Sequence, residues 1–185
     1  MLEPTAFATA FSTNTVCDSP PPLTNFNGAS YMGTWYEISR VPYLPFQPAS
    51  ATCTEAQYSN LDASTGSFTV YNSSQSSTYG ARKDAAGSGS CPTANGWCFV
   101  HFGGPQPTKP NYQVVSTDYT SYAIVYGCTS AQFHPNLWYL SRTPTVSSTF
   151  IPSMNEIAAA ALPTFDFNTM VVDNQGSKCS YVKSV

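Results

Sequence analysis

Six cysteines are the residues of this chain best suited to chemistry: Cys17, Cys53, Cys91, Cys98, Cys128 and Cys179. A cysteine thiolate can attack an electrophile, ligate a metal ion or pair into a disulfide. No two of the six form a Cys-x-x-Cys motif and the chain has only 2 histidines, so a zinc site is not expected. The even number instead favours disulfides, and therefore an oxidising compartment.

Acid–base chemistry would need carboxylates or a histidine that face a common site. Glu37 is the one carboxylate that strand alternation places on an inward face. Asp118 has no histidine in a recognisable relation to it, so we interpret it as a turn residue that bonds its own backbone. His101 lies near the end of a predicted strand, where it could bond a ligand carboxylate or carbonyl, or be a satisfied histidine at the rim.

The composition indicates one β-rich domain with a sizeable core in 185 residues. Charged residues make up only 9% of the chain, the net charge is −3, and no Lys/Arg cluster suggests nucleic acid or an anionic membrane. No apolar run is long enough for a transmembrane helix. Residues 1–11 lack a basic n-region, and we interpret them as the start of a chain whose signal peptide has been removed.

Eight segments show the patterns of β-strands, separated by turns rich in glycine, proline or serine. The predicted strands A to H are residues 34–41, 53–60, 67–73, 78–85, 97–102, 111–117, 121–128 and 136–142. Their short links favour an up-and-down antiparallel barrel, which has no exposed edge. Residues 149–162 predict a helix that Pro163 ends, and residues 168–172 predict a last short strand.

Three short motifs lie along these strands. The first is Gly-x-Trp at residues 33–35, where the glycine frees the backbone as the chain enters strand A. The second is Thr-Asp-Tyr at residues 117–119, and the third is Leu-Ser-Arg at residues 140–142, after Trp138. In this order and spacing they resemble the three signature regions of the lipocalins. The resemblance is greatest to the branch of apolipoprotein D, the bacterial lipocalins and the bilin-binding proteins.

The resemblance implies an all-β fold, an eight-stranded antiparallel up-and-down lipocalin barrel with one C-terminal α-helix packed outside. One domain would cover residues 1–185, made of an N-terminal arm (1–30), the barrel (33–143), the helix (149–162) and a C-terminal strand and tail (163–185). It also implies structural roles at the closed end of the barrel. There Arg142 would lie across Trp35, and Asp118 would shape a turn.

The same resemblance implies the disulfides Cys17–Cys128 and Cys53–Cys179. Cys91 and Cys98 would then form a third pair that closes a hairpin, with Cys98 facing outward if Phe99 faces inward. The rival possibility is a free nucleophilic thiol inside the barrel, as in the lipocalin-type prostaglandin synthase.

Alternation from the motif positions gives the side chains expected to point into the barrel. Those that we expect to contact a ligand are Glu37, Tyr58, Phe68, Val70, Asn72, Phe99, His101, Tyr126 and Trp138. The resemblance adds that Tyr58, Asn72 and Trp138 fall on cavity positions of the relatives. The alternative is that these side chains fill a solid core. Asn72 also begins a glycosylation sequon, but an inward Asn72 would be inaccessible to the modifying enzyme.

The resemblance implies a secreted carrier of one small lipophilic molecule, which would be a fatty acid, sterol, retinoid, bilin or carotenoid, with no cofactor or metal required. The many aromatic residues suit a flat or conjugated pigment. The alternative is a lipocalin-fold enzyme acting on a lipid or carotenoid, which would need a free inner thiol or paired acids. In a third hypothesis the aromatic loop at residues 42–48 contacts a membrane or a second protomer.

Overall fold

A computed structural model describes residues 16–44, 46–76, 79–128 and 134–182, so residues 1–15 of the predicted N-terminal arm lie outside the described part. The helices and strands follow in chain order, with a 3₁₀ turn at Phe167–Thr169 before the last strand. They are α1 (Gly28–Tyr31), β1 (Gly33–Arg40), β2 (Thr52–Asp62), β3 (Ser67–Gln75), β4 (Arg82–Ser90), β5 (Trp97–His101), β6 (Tyr112–Thr117), β7 (Tyr122–Gly127), β8 (Asn136–Ser141), α2 (Phe150–Ala159) and β9 (Val171–Val172).

The sheet closes on itself as a barrel. Strands β2 to β8 pair antiparallel in chain order, β8 pairs with β1, and β1 also pairs with β2, so that all eight strands have two neighbours. The short strand β9 adds to β1 beyond a register shift between Glu37 and Ser39. The predicted barrel with one helix after it is therefore confirmed, with β9 as an extra strand.

Two hydrophobic clusters divide the apolar residues between the inside and the outside of the barrel. The inner cluster is built around Trp35, Tyr58, Phe68 and Val70. The outer cluster packs the barrel wall against α2 and the segment after it, with Met154 among its residues. Both faces of some strands are therefore apolar. Among the described residues, no helix is long and apolar enough to cross a membrane.

The fourth strand differs most from its prediction. It runs over Arg82–Ser90 instead of residues 78–85, because its serines, glycines and alanines carry almost no alternation and pairing with β3 alone sets its register. Gly89 faces Phe68, whose ring would lie 2.3 Å from a β-carbon at that position. The structure also contains α1, a four-residue helix that the sequence pattern does not predict.

Candidate ligand cavity

A cavity of about 150 Å³ lies inside the barrel and reaches the open end. Its rim carries the exposed rings of Phe46 and Phe102. Polar and apolar side chains are about equally numerous in the lining, and most of the cavity surface is apolar, as it usually is in small-molecule sites. The lining side chains are Glu37, Phe46, Gln47, Thr54, Glu55, Ala56, Tyr58, Val70, Asn72, Val100, Phe102, Asn111, Tyr112, Val125, Asn136, Trp138 and Leu140.

Three tyrosines, Tyr31, Tyr58 and Tyr112, meet at the inner end of the cavity, and we call them the tyrosine triad. The Tyr112 hydroxyl lies 2.7 Å from that of Tyr31 and 2.9 Å from that of Tyr58. The rings of Tyr31 and Tyr58 stack with centroids 5.7 Å apart, which fixes both hydroxyls. Burial raises the pKa of Tyr58 to about 12 and raises the pKa values of Tyr31 and Tyr112 well above their usual range, so all three stay neutral.

A buried ionic cluster forms one side of the cavity. Glu37 accepts hydrogen bonds from Arg40 (3.1 Å) and from the Gln47 amide (3.0 Å), and Arg40 lies 3.9 Å from Asp173. Arg40 also donates to the Pro48 carbonyl at 2.7 Å. The cluster therefore fastens the loop at the mouth, and the segment that carries Asp173, to strand β1.

The two carboxyl groups of this cluster share one guanidinium in a dry site. Burial raises the pKa of Glu37 to about 8, because the attraction of Arg40 only partly offsets it and Asp173 adds repulsion. Burial likewise raises the pKa of Asp173 to about 6, against the opposing effects of Thr54 and Arg40. At neutral pH the pair therefore retains a proton, mainly on Glu37.

The closed end of the barrel is sealed by Arg142 and Trp35. The Arg142 guanidinium lies 3.6 Å from the centre of the Trp35 ring, which is fully buried. Arg142 also donates to the carbonyls of Thr34 (2.8 Å), Tyr119 (3.0 Å) and Ser30 (3.0 Å). This geometry gives both residues a structural role, away from the cavity wall.

Asp118 shapes the turn between β6 and β7 at the same end. Its carboxylate accepts backbone N–H groups from Thr120 (3.0 Å), Ser121 (2.8 Å) and Tyr122 (3.1 Å). Partial burial acts to raise the pKa of Asp118, but a hydrogen bond from the Ser121 hydroxyl and the three backbone bonds outweigh it and lower the pKa to about 2. The residue acts as the backbone-bonding turn residue that the sequence predicts.

All six cysteines are paired, as Cys17–Cys128, Cys53–Cys179 and Cys91–Cys98, so the chain has no free thiol. The first two disulfides fasten the N-terminal arm and the C-terminal tail to the barrel. The predicted orientation of Cys98 is wrong, because Cys98 is buried in the inner cluster.

Comparison with known proteins agrees with this geometry. The profile of a family described as "Lipocalin-like domain" matches residues 27–175. The chain belongs to the lipocalin family. It is 32% identical over 162 residues to apolipoprotein D of Rattus norvegicus, covering 81% of this chain and 82% of that protein. The predicted family and branch are therefore confirmed, and members of this family bind small hydrophobic ligands.

Two solved structures support the fold of this lipocalin. Insecticyanin from the tobacco hornworm Manduca sexta superposes with a TM-score of 0.72 at 23% identity, covering 91% of each chain. Lobster apocrustacyanin A1 superposes with a TM-score of 0.65 at 18% identity, covering 89% of this chain and 95% of its own.

Five of the nine predicted ligand residues line the cavity of this lipocalin: Glu37, Tyr58, Val70, Asn72 and Trp138. Phe68 also points into the barrel, but it lies below the cavity and packs edge-on against Tyr58, with ring centroids 5.6 Å apart. The contact of each with a ligand stays a prediction.

The predicted orientations of Phe99, His101 and Tyr126 are wrong. On β5 the inward residues are Cys98 and Val100, so Phe99 and His101 face the other way, and the His101 ring lies 2.7 Å from the Gly104 carbonyl. Side-chain size is a misleading guide to orientation on β5. The smaller side chains face the interior, while the aromatic ones are half-buried on the outer face.

Tyr126 lies in the outer cluster, beneath α2. Its hydroxyl accepts the Asp18 N–H at 2.9 Å. Strand β7 is apolar on both faces, with Ala123 and Val125 inside and Ile124 outside, so alternation cannot show which face points inward.

Six polar residues of the lining were not predicted from the sequence: Tyr112, Gln47, Thr54, Glu55, Asn111 and Asn136. Tyr112 could have been predicted, because it lies two residues before the buried Val114 on β6 and therefore on the same face. Gln47 lies in the loop at the mouth of the barrel, where apolar and polar residues do not alternate regularly. Among the described residues, no group of three or more His, Cys, Asp or Glu side chains could hold a metal ion.

Asn72 should carry no glycan despite its sequon. Its side chain lines the cavity, and its Oδ1 atom is buried with no hydrogen-bond partner in the described structure. We expect the protein secreted from a glycosylating eukaryotic cell to keep its mass after glycosidase treatment. Asp62→Thr is the matched control, since it completes a sequon at the exposed Asn60 and should add a removable glycan. A removable glycan on Asn72 itself would contradict the inward placement.

Proposed function

We propose that this lipocalin carries a small lipophilic molecule in its barrel cavity. The observation behind the proposal is the cavity itself, whose surface is mostly apolar and is formed in part by Val70, Val125, Trp138 and Leu140. Burial of apolar ligand surface stabilises such a complex by about 25 cal/mol per Å². Fatty acids, sterols, retinoids, bilins and carotenoids are the ligand classes that we propose.

The polar groups of the wall would orient the ligand. The Asn72 Oδ1 atom has no protein partner, and a buried acceptor without a partner costs about 1–3 kcal/mol. A ligand N–H or O–H group near Asn72 would remove this cost. The indole of Trp138 offers a flat apolar surface in the same cavity.

The carrier function is favoured over catalysis. The enzyme hypothesis needs a free inner thiol or paired acids facing the ligand, and every cysteine is in a disulfide. Glu37 and Glu55 both line the cavity. The carboxyl oxygens of Glu37 are already bonded to Arg40 and Gln47. The Oε1 atom of Glu55 accepts the N–H of Val182. That the protein is no enzyme and requires no cofactor stays a prediction.

We place the protein outside the cytosol, because three disulfides persist only in an oxidising compartment. A contact through the mouth loop is a further proposal. Tyr43 is 41% exposed and Phe46 is 63% exposed. Light scattering at increasing concentration would show self-association that Phe46→Ser weakens. A monomer at every concentration, with no binding to lipid vesicles, would contradict this contact.

Filling the cavity tests the carrier proposal. Ala56→Phe puts a ring into a space of about 150 Å³, whereas Ala86→Phe adds the same ring to the exposed outer face. We expect Ala56→Phe to weaken binding of a fatty acid, retinol and biliverdin at least about tenfold, and Ala86→Phe to leave it unchanged. Quenching of tryptophan fluorescence gives the affinities, because Trp138 lines the cavity, and thermal melting checks the fold. Equal affinities in the two variants would contradict a cavity site.

A further inference from the structure

The tyrosine triad places three hydroxyl groups in one chain at the inner end of the cavity. Tyr112 stands in the middle, 2.7 Å from the Tyr31 hydroxyl and 2.9 Å from the Tyr58 hydroxyl. The ring of Tyr112 meets that of Tyr58 edge-on, with centroids 6.2 Å apart. Stacking of Tyr58 on Tyr31 holds the third member, so the three oxygens are fixed by packing.

Counting protons shows that this chain is left with one hydrogen-bond donor. Each neutral tyrosine has one O–H proton, and burial keeps all three neutral at physiological pH. The two O···O contacts use two of the three protons. In the described part of the structure the triad hydroxyls make no other hydrogen bond, so the third proton has no acceptor in the protein.

The position of the third proton depends on the direction of the chain. If Tyr31 donates to Tyr112, the free proton belongs to Tyr112 or Tyr58, and both line the cavity. If the chain runs the other way, the free proton belongs to Tyr31, which is not among the described side chains of the cavity wall. A buried donor without a partner is costly, so an acceptor in the cavity favours the first direction.

We propose that the triad selects lipophiles whose buried end carries a hydrogen-bond acceptor without a charge, such as a carbonyl or ether oxygen. This inference rests on the proposed carrier function and adds the chemistry of the inner end of the ligand. A carbonyl placed there accepts the third proton and completes the hydroxyl chain. A hydrocarbon end leaves that proton unpaired.

Butyrophenone and butylbenzene are suitable probes, because a carbonyl group in the first replaces the benzylic CH₂ group of the second. Calorimetry gives the two affinities, and their ratio is compared between protein variants, so that the different hydration of the two probes cancels. We expect this ratio to favour the ketone about three- to tenfold more in the wild type than in Tyr58→Phe/Tyr112→Phe, which removes both cavity hydroxyls. The infrared carbonyl stretch of bound butyrophenone reports the hydrogen bond directly, and it should lie below its position in an alkane solvent.

Two further variants sharpen the comparison. Tyr31→Phe leaves two hydroxyls and one contact, so the free proton must belong to Tyr58 or Tyr112, and the ketone preference should persist. Tyr139→Phe is the matched control, because it removes a buried tyrosine hydroxyl that bonds Asn155 in the outer cluster. It should change neither the ratio nor the carbonyl stretch.

The outcomes separate this inference from the function on which it rests. A ratio that is unchanged in the double variant, or an unshifted carbonyl stretch in the wild type, would overturn the role of the triad while butylbenzene still binds. Failure of the wild type to bind either probe or any of the lipophile classes would overturn the carrier proposal itself. The infrared measurement on the wild type needs no variant, so an unshifted stretch overturns the inference even if the double variant does not fold.

Discussion

Arg142→Met is expected to lower the free energy of unfolding by about 3–5 kcal/mol. The substitution removes a cation–π contact worth roughly 0.5–2 kcal/mol and leaves the carbonyls of Ser30, Thr34 and Tyr119 without their charged donor. Urea unfolding followed by tryptophan fluorescence measures the change, since Trp35 reports the site directly.

Arg82→Met is the matched control for this measurement. Arg82 forms a bidentate pair with Asp84 on the outside of β4, where both side chains are about one-third exposed. An ion pair of this kind contributes less than about 1 kcal/mol. An Arg142 variant that loses no more stability than the Arg82 variant would contradict a stabilising role for the contact between Arg142 and Trp35 at the closed end.

The stability of the wild type is expected to fall as the pH rises from about 5 to above 8. Burial raises the pKa of Glu37 to about 8 and that of Asp173 to about 6, so the folded state binds protons that the unfolded state has released. Stability from a raised pKa is fully present below the unfolded value and is lost as the pH passes the folded one. Each proton contributes a slope of up to about 1.4 kcal/mol per pH unit.

Glu37→Gln isolates the larger part of this effect. A glutamine keeps an oxygen for Arg40 and Gln47 and cannot ionise, so the free energy of unfolding should be nearly flat between pH 6 and pH 8. Glu156→Gln on the exposed side of α2 is the control, and it should retain the wild-type slope. The same slope in wild type and Glu37→Gln would contradict a proton held at Glu37.

The sequence predicts this barrel well because its signals are local. Alternation and turn residues place β1, β2, β3 and β8 within a few residues of their observed bounds. The predicted bounds of β4 are wrong because its serine, glycine and alanine residues show no hydrophobic alternation. Pairing with β3 sets the position of this strand.

The candidate site could be predicted only in part. Residues anchored by the signature motifs, such as Glu37 and Trp138, face the cavity as expected. Where both faces of a strand are apolar, as around Tyr126, one face packs the interior and the other packs α2, so the sequence does not distinguish them. The ionic cluster could not be predicted, because Gln47 lies in a loop without periodicity and Asp173 comes from the distant C-terminal segment.

The crystal structure of the protein loaded with 4-bromobutyrophenone would test most directly whether the barrel holds a lipophile. The anomalous signal of bromine locates the probe without assumptions about its orientation. We expect a bromine peak inside the barrel, with the phenyl ring in van der Waals contact with Trp138 and Val70. A peak only on the outer surface, or an interior that stays empty at saturating probe concentration, would contradict it.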